Sequence, residues 1–406
     1  MIIELIIALV VGVAIGSITG LAPGIHINLV AFFLLSLVTA GYFAGISPII
    51  LCVFIIALSI SHTFIDFIPS IFLGAPDEDS VLSVLPGHEM LIKGQGYEAV
   101  LLTLIGSVVG IILILLFTPL FILFLPKVYE SARLIMFFIL ILASCFLFYF
   151  EKNNRLWAII IFFLAGFLGI ASMNLNLKEP LLPLLTGLFG ASSLITSISK
   201  KQKLPKQEII KLRQLKIKKK SIAKSIFASI IASPLCSFLP GLGSGQAAVI
   251  GSEVTGDLNR KEFLILLGSI NTIVMGLSFV TLYTIQKSRT GSAVAVSRLL
   301  ETFSISNLYM ILIAIFISGI LAFFLTIFLA KIFSKNISKI NYNKLSLGIL
   351  IFLSFIILIF SGFLGFFIFI ISTFTGLTCI YAGVRRTHLM GCLLLPTLFF
   401  YFFIKN

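Results

Sequence analysis

Ionisable and amide side chains are scarce in the apolar runs of this chain, so the few that occur there are the first candidates for chemistry. His62 and Asp66 stand four residues apart near the end of the run Ile46–Ile68, on one face if that run is helical. A carboxylate at such a depth is expensive unless it faces a cavity or a partner, which marks Asp66 as a candidate to hold a proton or a cation, with His62 tuning it. The bland alternative is that both sit at the end of the span and reach interfacial water. Asn271 lies at a similar depth in a later run, Phe263–Thr284, where its amide would either coordinate an ion or hydrogen-bond a neighbouring helix.

A second kind of chemistry belongs to the backbone. Pro23-Gly24 closes the first apolar run, with His26 and Asn28 just beyond, and Leu239-Pro240-Gly241-Leu242-Gly243-Ser244-Gly245 opens a short run in the second half. A helix that starts after such a turn presents unpaired N–H groups with partial positive charge, a ready seat for a carboxylate or a phosphate. A tight turn between packed helices would explain either Pro-Gly pair singly; two in matched positions bring the binding reading level with it. The glycines are no nucleotide-binding loop, since no Lys follows the last of them.

The window Ser70–Glu98 carries Asp77, Glu78, Asp79, Glu89 and Glu98, and with Asp66 it holds six of the chain's fifteen acidic residues. Gly74, Pro76, Pro86, Gly87, Gly94 and Gly96 predict a broken hairpin with one short helical piece over 80–85. A polar hairpin in an apolar chain is tolerable outside the bilayer, packed inside protein, or against a wet cavity. Gly74, Pro76 and Ser80 are therefore candidates to line a substrate site. The acidic run is read either as a solvated turn or as a helix N-terminus, and Asp77 as a gatherer of cations. A second polar interruption, 285–301, offers Gly291 and Ser292, with Lys287 and Arg289 nearby. A rival reading, an intramembrane metal enzyme using His26, His62, Asp66 and His88, has suitable ligand types but no recognised metal-site spacing.

The elements that must position these groups follow from composition. The chain has 406 residues, is 59% hydrophobic and 11% charged, and has a mean hydropathy of +1.18, which fits a polytopic membrane protein and no soluble domain. Its net charge of +14 does not point to nucleic acid, because Lys200–Lys224 alone holds eleven basic residues against Glu208. One basic loop between spans reads as a cytoplasmic anchor touching anionic lipid. The five Cys (52, 145, 236, 379 and 392) all lie in apolar runs and imply no disulfide framework. The apolar start reads as a retained span, not a cleaved signal.

Hydropathy predicts seven segments before the basic loop: 2–20, 25–40, 46–68, 99–125, 132–150, 156–174 and 181–198. Seven follow it: 222–239, 244–254, 263–284, 308–332, 345–360, 363–381 and 389–403. GLAPGIH aligns with SFLPGLG, and DSVLSV with GSAVAV, at about half the chain's length. Odd-numbered halves must be inverted, and placing the basic loop inside puts Lys152, Arg155, Arg260, Lys261, Arg385 and Arg386 inside as well. The expected fold is an all-α polytopic membrane protein of two inverted repeats, 1–199 and 222–406, joined by the basic loop 200–221, with broken helices and re-entrant hairpins.

Gly74–Val100 resembles a stretch in the large membrane subunit of tripartite tricarboxylate transporters, with Gly87-His88-Glu89-Met90 followed by Gly94 and Gly96. Pro23-Gly24 and Pro240-Gly241-Leu242-Gly243 resemble that family's two Pro-Gly loops, and Asn271 falls in its Asn-bearing span. Pro86 and Glu89 depart from the family's residues, and 285–292 lacks its Gly-Pro-Gly. The resemblance implies a secondary transporter of organic anions in the cell membrane, driven by a cation gradient (Na⁺ or H⁺), not an enzyme and with no cofactor. It also implies a small membrane subunit and an extracytoplasmic binding protein as partners; a stand-alone carrier and a homodimer are the other arrangements. A small carboxylate is the expected solute, and a lipid-linked phosphate the alternative, since the same helix starts suit both.

Overall fold

The computed structural model describes residues 1–22, 30, 31, 34, 38, 43, 45–75, 80–149, 151, 154–177, 179–199, 204–215, 217–238, 244–256, 258–287, 290–300, 302–339 and 341–404. Among these residues there is no strand. Eight helical stretches are long and apolar enough to cross a membrane: Ile2–Leu21, Pro48–Leu73, Gly96–Lys127, Arg155–Asn174, Leu181–Ser199, Arg260–Ile285, Ile305–Ile337 and Asn343–Tyr381. The all-helical membrane architecture expected from composition is therefore present.

The differences from fourteen separate spans have local causes. Segments 99–125 and 132–150 are joined in one helix, α5 (Gly96–Tyr149), which runs through Pro119 and Pro126 without leaving helical backbone. Segments 345–360 and 363–381 are likewise joined in α14 (Tyr342–Tyr381), across a kink at Gly362, whose φ of 68° and ψ of −170° suit glycine alone. Helix α9 (Lys219–Phe238) carries Lys219, Lys220 and Lys224 in its first six residues and is too polar to count as a span, while α10 (Ser244–Thr255) and α15 (Gly391–Ile404) have only 12 and 14 residues. Segment 25–40 lies mostly outside the described residues.

The centre of the molecule is α11 (Arg260–Ile285), whose most apolar window is 94% buried, against 22% for that of α14. An Asn259 capping box starts α11: its side chain accepts from the Lys261 and Glu262 N–H groups while Glu262 reaches back. The helix packs chiefly on α5, and small residues bring the two backbones together. A Cβ at Gly268 would run into the Thr103 carbonyl, and one at Gly106 into the Ile265 carbonyl. On the outside, Ile6, Ile313, Phe324 and Phe355 are exposed, as expected of residues facing lipid tails.

Helix α1 (Ile2–Leu21) lies along α2 (Pro48–Ile65), as α9 lies along α11. Asp66 forms the joint between α2 and the short α3 (Phe67–Leu73), so the span extends past Ile68 to Leu73. The first hairpin holds more helix than the piece expected over 80–85. A 3-10 turn (Val81–Ser83) leads into α4 (Val84–Ile92), which contains both Pro86 and Gly87. Pro86 falls in the first turn, where its missing N–H has no intrahelical partner to lose. Most of the hairpin is buried, and Glu98 pairs with Lys261 Nζ at 2.6 Å while Glu89 pairs with Arg260. The basic segment docks on this hairpin: Gln207 accepts from Gly96 N–H at 2.9 Å, and Glu208 N–H donates to the Gly94 carbonyl at 2.8 Å.

The remaining elements close the second side. Helix α6 (Arg155–Asn174) packs on α15, and the stretch 181–199 consists of α7 (Leu181–Leu185), a π-helical turn (Thr186–Ala191) and α8 (Ser192–Ser199) packed on α14. The second hairpin is α12 (Gly291–Leu299), capped by Thr290, whose Oγ1 accepts from Ala293 N–H. Helix α13 (Ile305–Ile337) covers α2, and a 3-10 turn (Arg386–Met390) links α14 to α15.

Candidate functional site

The second half of α2 and the start of α3 form a buried polar stripe. Ser59, His62, Thr63, Asp66 and Ser70 recur every three or four residues, and none is more than 3% exposed. Each rung meets a different neighbour. Ser59 Oγ donates to Ser292 Oγ at 2.7 Å, fixing the buried start of the second hairpin. His62 Nδ1 shares a hydrogen bond of 3.1 Å with Thr19 Oγ1 of α1. Ser70 Oγ shares one of 2.7 Å with Ser83 Oγ and donates to the Ser80 carbonyl at 3.2 Å, tying in the first hairpin.

Asp66 is the centre of this stripe. Asn271 Nδ2 of α11 donates to Asp66 Oδ2 at 3.0 Å and lies 3.5 Å from the Thr63 carbonyl. The contact joins residues 205 apart in sequence, one from each half of the chain. Asn271 is 1% exposed, and its Oδ1 is buried with no hydrogen-bond partner among the described residues. Asn271 thus turns its N–H to Asp66, and a carboxylate shielded from water in this way is a candidate seat for a proton or, with the amide oxygen turned to it, for a small hard cation. The structure thus brings together His62, Asp66, Asn271, Ser80 and Ser292 around one helix.

Other residues singled out from sequence fall elsewhere or outside view. Pro23, Gly24, His26, Asn28, Pro76, Asp77, Pro240, Gly241 and Gly243 lie outside the described residues. Gly74 ends α3 with φ of 63° and ψ of 26°, a left-handed cap that glycine adopts without strain. Gly291 is the first residue of α12, and Ser244, at the start of α10, has a buried Oγ without a partner among the described residues. Lys287 is exposed, away from the buried stripe. His88 shares a hydrogen bond with Ser197 Oγ at 2.9 Å, and no group of three or more His, Cys, Asp or Glu side chains comes together among the described residues.

A second polar centre is not predicted from the sequence, where Arg385 and Arg386 serve only to orient the chain. Glu151 gathers His388 Nε2 at 2.9 Å and the Arg385 N–H at 3.2 Å, with Arg385 Nε 3.7 Å away. Beside it Arg386, 7% exposed, donates from Nη1 to the Phe189 carbonyl at 3.2 Å and to Ser193 Oγ at 2.5 Å, and from Nη2 to Ser192 Oγ at 3.4 Å. The Phe189 carbonyl comes from the π-helical turn, a local irregularity often found at functional sites. Burial pulls the Arg386 guanidinium down to about 10. It also lowers His388, more than the hydrogen bond it donates to Glu151 raises it. A cavity of about 380 Å³ opens beside Arg386, lined by the first hairpin, α10, the start of α11 and the turn 386–390. The signal available in the sequence was the Arg385-Arg386-Thr387-His388 run directly after an apolar span.

Fold and site together define a polytopic membrane protein with ionisable groups buried between its halves, the construction of a solute carrier. The family model described as "Tripartite tricarboxylate transporter TctA family" matches residues 6–391. The chain belongs to that family, whose members are transporters, not enzymes, and serve as the large membrane subunit of tripartite systems. It is also similar to an uncharacterized protein of Methanocaldococcus jannaschii, 31% identical over 407 residues that cover 97% of this chain and 98% of the relative. No solved structure matches the chain.

Proposed function

We propose that this protein is a secondary active transporter of a small organic anion, a carboxylate, in the cell membrane, coupled to Na⁺ or H⁺ through Asp66 and Asn271. The observation that carries the reading is the 3.0 Å contact between these two buried side chains, one from each half. A carboxylate at this depth is costly unless its charge is compensated, so a proton or cation taken up there couples to the packing of α2 against α11. The two halves are read as inverted repeats, 1–199 and 222–406, about the basic segment 200–221. In support, α1 lies along α2 as α9 lies along α11, and the two hairpins, read as re-entrant, meet the same polar stripe through Ser80, Ser83 and Ser292. The Pro-Gly turns, with Gly24, Gly241 and Ser244, would cradle the anion. A small membrane subunit and an extracytoplasmic binding protein are the partners the family points to.

Asp66→Asn is isosteric and keeps a polar group opposite Asn271, so the fold should survive. Uptake into proteoliposomes should lose its dependence on the imposed Na⁺ or H⁺ gradient, while Asn271→Ala should weaken that dependence about tenfold, the loss of one charge-assisted hydrogen bond. Gradient-driven uptake unchanged in Asp66→Asn removes Asp66 from the mechanism.

A further inference from the structure

The cavity beside Arg386 contains a charge that the coupling reading leaves unused. Three arginines line it, with Glu89 and Glu253 as its carboxylates. Arg260 is paired with Glu89, and Arg385 lies between Glu151 and Glu253 at 3.7 and 3.9 Å. Arg386 differs from both. Among the described residues no carboxylate lies within 4.0 Å of its guanidinium, and its three hydrogen bonds go to one carbonyl and two serine hydroxyls. Those bonds occupy three of five N–H groups, leaving the Nε–H and one Nη2–H to donate, and neutral acceptors leave the delocalised positive charge unneutralised. A buried guanidinium with no carboxylate in contact carries a large desolvation penalty, which the more distant Glu89 only partly offsets and an arriving anion relieves.

Two features next to it specify the ligand further. Thr387 lines the same cavity, and its Oγ1 is buried without a hydrogen-bond partner among the described residues. The rest of the lining is largely apolar, including Val81, Leu82, Phe189, Leu258 and Phe263. A volume of about 380 Å³ is at the small end of ligand sites. One uncommitted cation, one hydroxyl and apolar walls match a single carboxylate on a small apolar body. Additional carboxylates would find no free cation and would face Glu89 and Glu253.

We propose that this cavity binds the transported solute on its way to the side of the basic segment, and that the solute is a small monocarboxylate held by Arg386 and Thr387. The proposal rests on the carrier reading and narrows its substrate class. Lys93, Arg260 and the basic segment share this end of the molecule, which places the cavity mouth on the cytoplasmic side under the positive-inside rule. The guanidinium would grip the carboxylate through a pair of N–H groups, an arrangement lysine does not reproduce.

The test is calorimetric titration of the purified full chain in detergent with hexanoate, benzoate and citrate. Hexanoate or benzoate should bind, with citrate at least tenfold weaker. Arg386→Gln should weaken the monocarboxylate about tenfold or more, and Arg386→Lys should not restore it. Because Arg386 also holds the π-helical turn, Thr387→Val serves as a variant that removes no existing contact; it should weaken binding several-fold with the melting temperature unchanged. Citrate binding as tight as benzoate, or monocarboxylate affinity unaltered by Arg386→Gln and Thr387→Val, overturns the site. Asp66-dependent uptake of a monocarboxylate that ignores Arg386 and Thr387 also overturns it, while leaving the carrier reading intact. Arg386-dependent binding with no uptake in proteoliposomes supports the site and defeats the carrier reading.

Discussion

At the scale of single residues, the chemistry divides by how conspicuous a side chain is against its background. Asp66 and Asn271 could be singled out because a carboxylate and an amide inside apolar runs have no structural reason to be there, although nothing in the sequence said that they touch. Arg386 escaped notice because it follows Arg385 at the end of a span, where basic residues ordinarily mark topology; only the fold shows one arginine turned to Glu151 and the other buried among neutral oxygens. His388 was equally hidden. It is fully buried, bonded to Glu151 and stacked on Phe148 with the rings 6.1 Å apart, and burial holds its imidazole below the usual value. The unfolded chain therefore takes up a proton near pH 6.5 before the folded chain does, so His388 lowers stability as pH falls below about 6.5 and has no such effect above it. The thermal midpoint should accordingly drop between pH 7.5 and pH 5, and His388→Gln should flatten part of that drop. A wild-type and a His388→Gln profile of identical slope would show that the imidazole keeps its ordinary affinity for protons in the fold.

At the scale of elements, periodicity and punctuation located most helices but misjudged what proline and glycine do to them. Pro86 and Gly87 predict a break in the first hairpin, yet Pro86 sits in the first turn of α4, the one place in a helix where a missing N–H is harmless. Pro119 and Pro126 do not divide α5, whereas Gly362, an inconspicuous residue in a Phe-rich stretch, kinks α14. Glycines elsewhere act by having no side chain. Gly106 on α5 faces the Ile265 carbonyl of α11, and Gly268 on α11 faces the Thr103 carbonyl, so the central pair of helices packs backbone to backbone. In a bilayer, where helix association depends on such packing, larger side chains force the pair apart. Gly268→Val should cost about 1–3 kcal/mol by overpacking and lower the thermal midpoint. Gly348→Val, at a glycine with open space around it, is the control and should stay near wild type apart from helix propensity. Equal effects at both positions would mean that the α5–α11 interface is not close-packed.

At the scale of the whole molecule, the weak internal similarity between the two halves is the feature that sequence could raise but not decide. Two short motif matches, with two identities each, are too sparse at half the chain's length to fix orientation, and the charge count reads loops one at a time. The fold adds where each hairpin sits. The end of the first hairpin is held by the basic segment, since Gly94 accepts from Glu208 N–H and Gln207 accepts from Gly96 N–H, and Lys93 lines a basic cleft with Lys218, Lys220 and Lys224. Lys93 must then lie on the same side as that segment, the cytoplasmic side by the positive-inside rule. The corresponding tip of the second hairpin follows α11, whose first residues Arg260 and Lys261 pair with Glu89 and Glu98 at the end where the basic segment docks. A helix of 26 residues rises about 39 Å at 1.5 Å per residue, enough to cross the hydrocarbon core, so Lys287 emerges on the opposite face. Inversion of the repeats requires this outcome: hairpins alike in order but opposite in side. Single-cysteine variants Lys93→Cys and Lys287→Cys, in a background with the native cysteines replaced, make it measurable. A membrane-impermeant maleimide should label Lys287→Cys in intact cells and Lys93→Cys only after the membrane is opened. Labelling of both from the same side would mean that the halves are parallel, and Asp66 and Asn271 would then be joined by something other than an inverted pair of repeats.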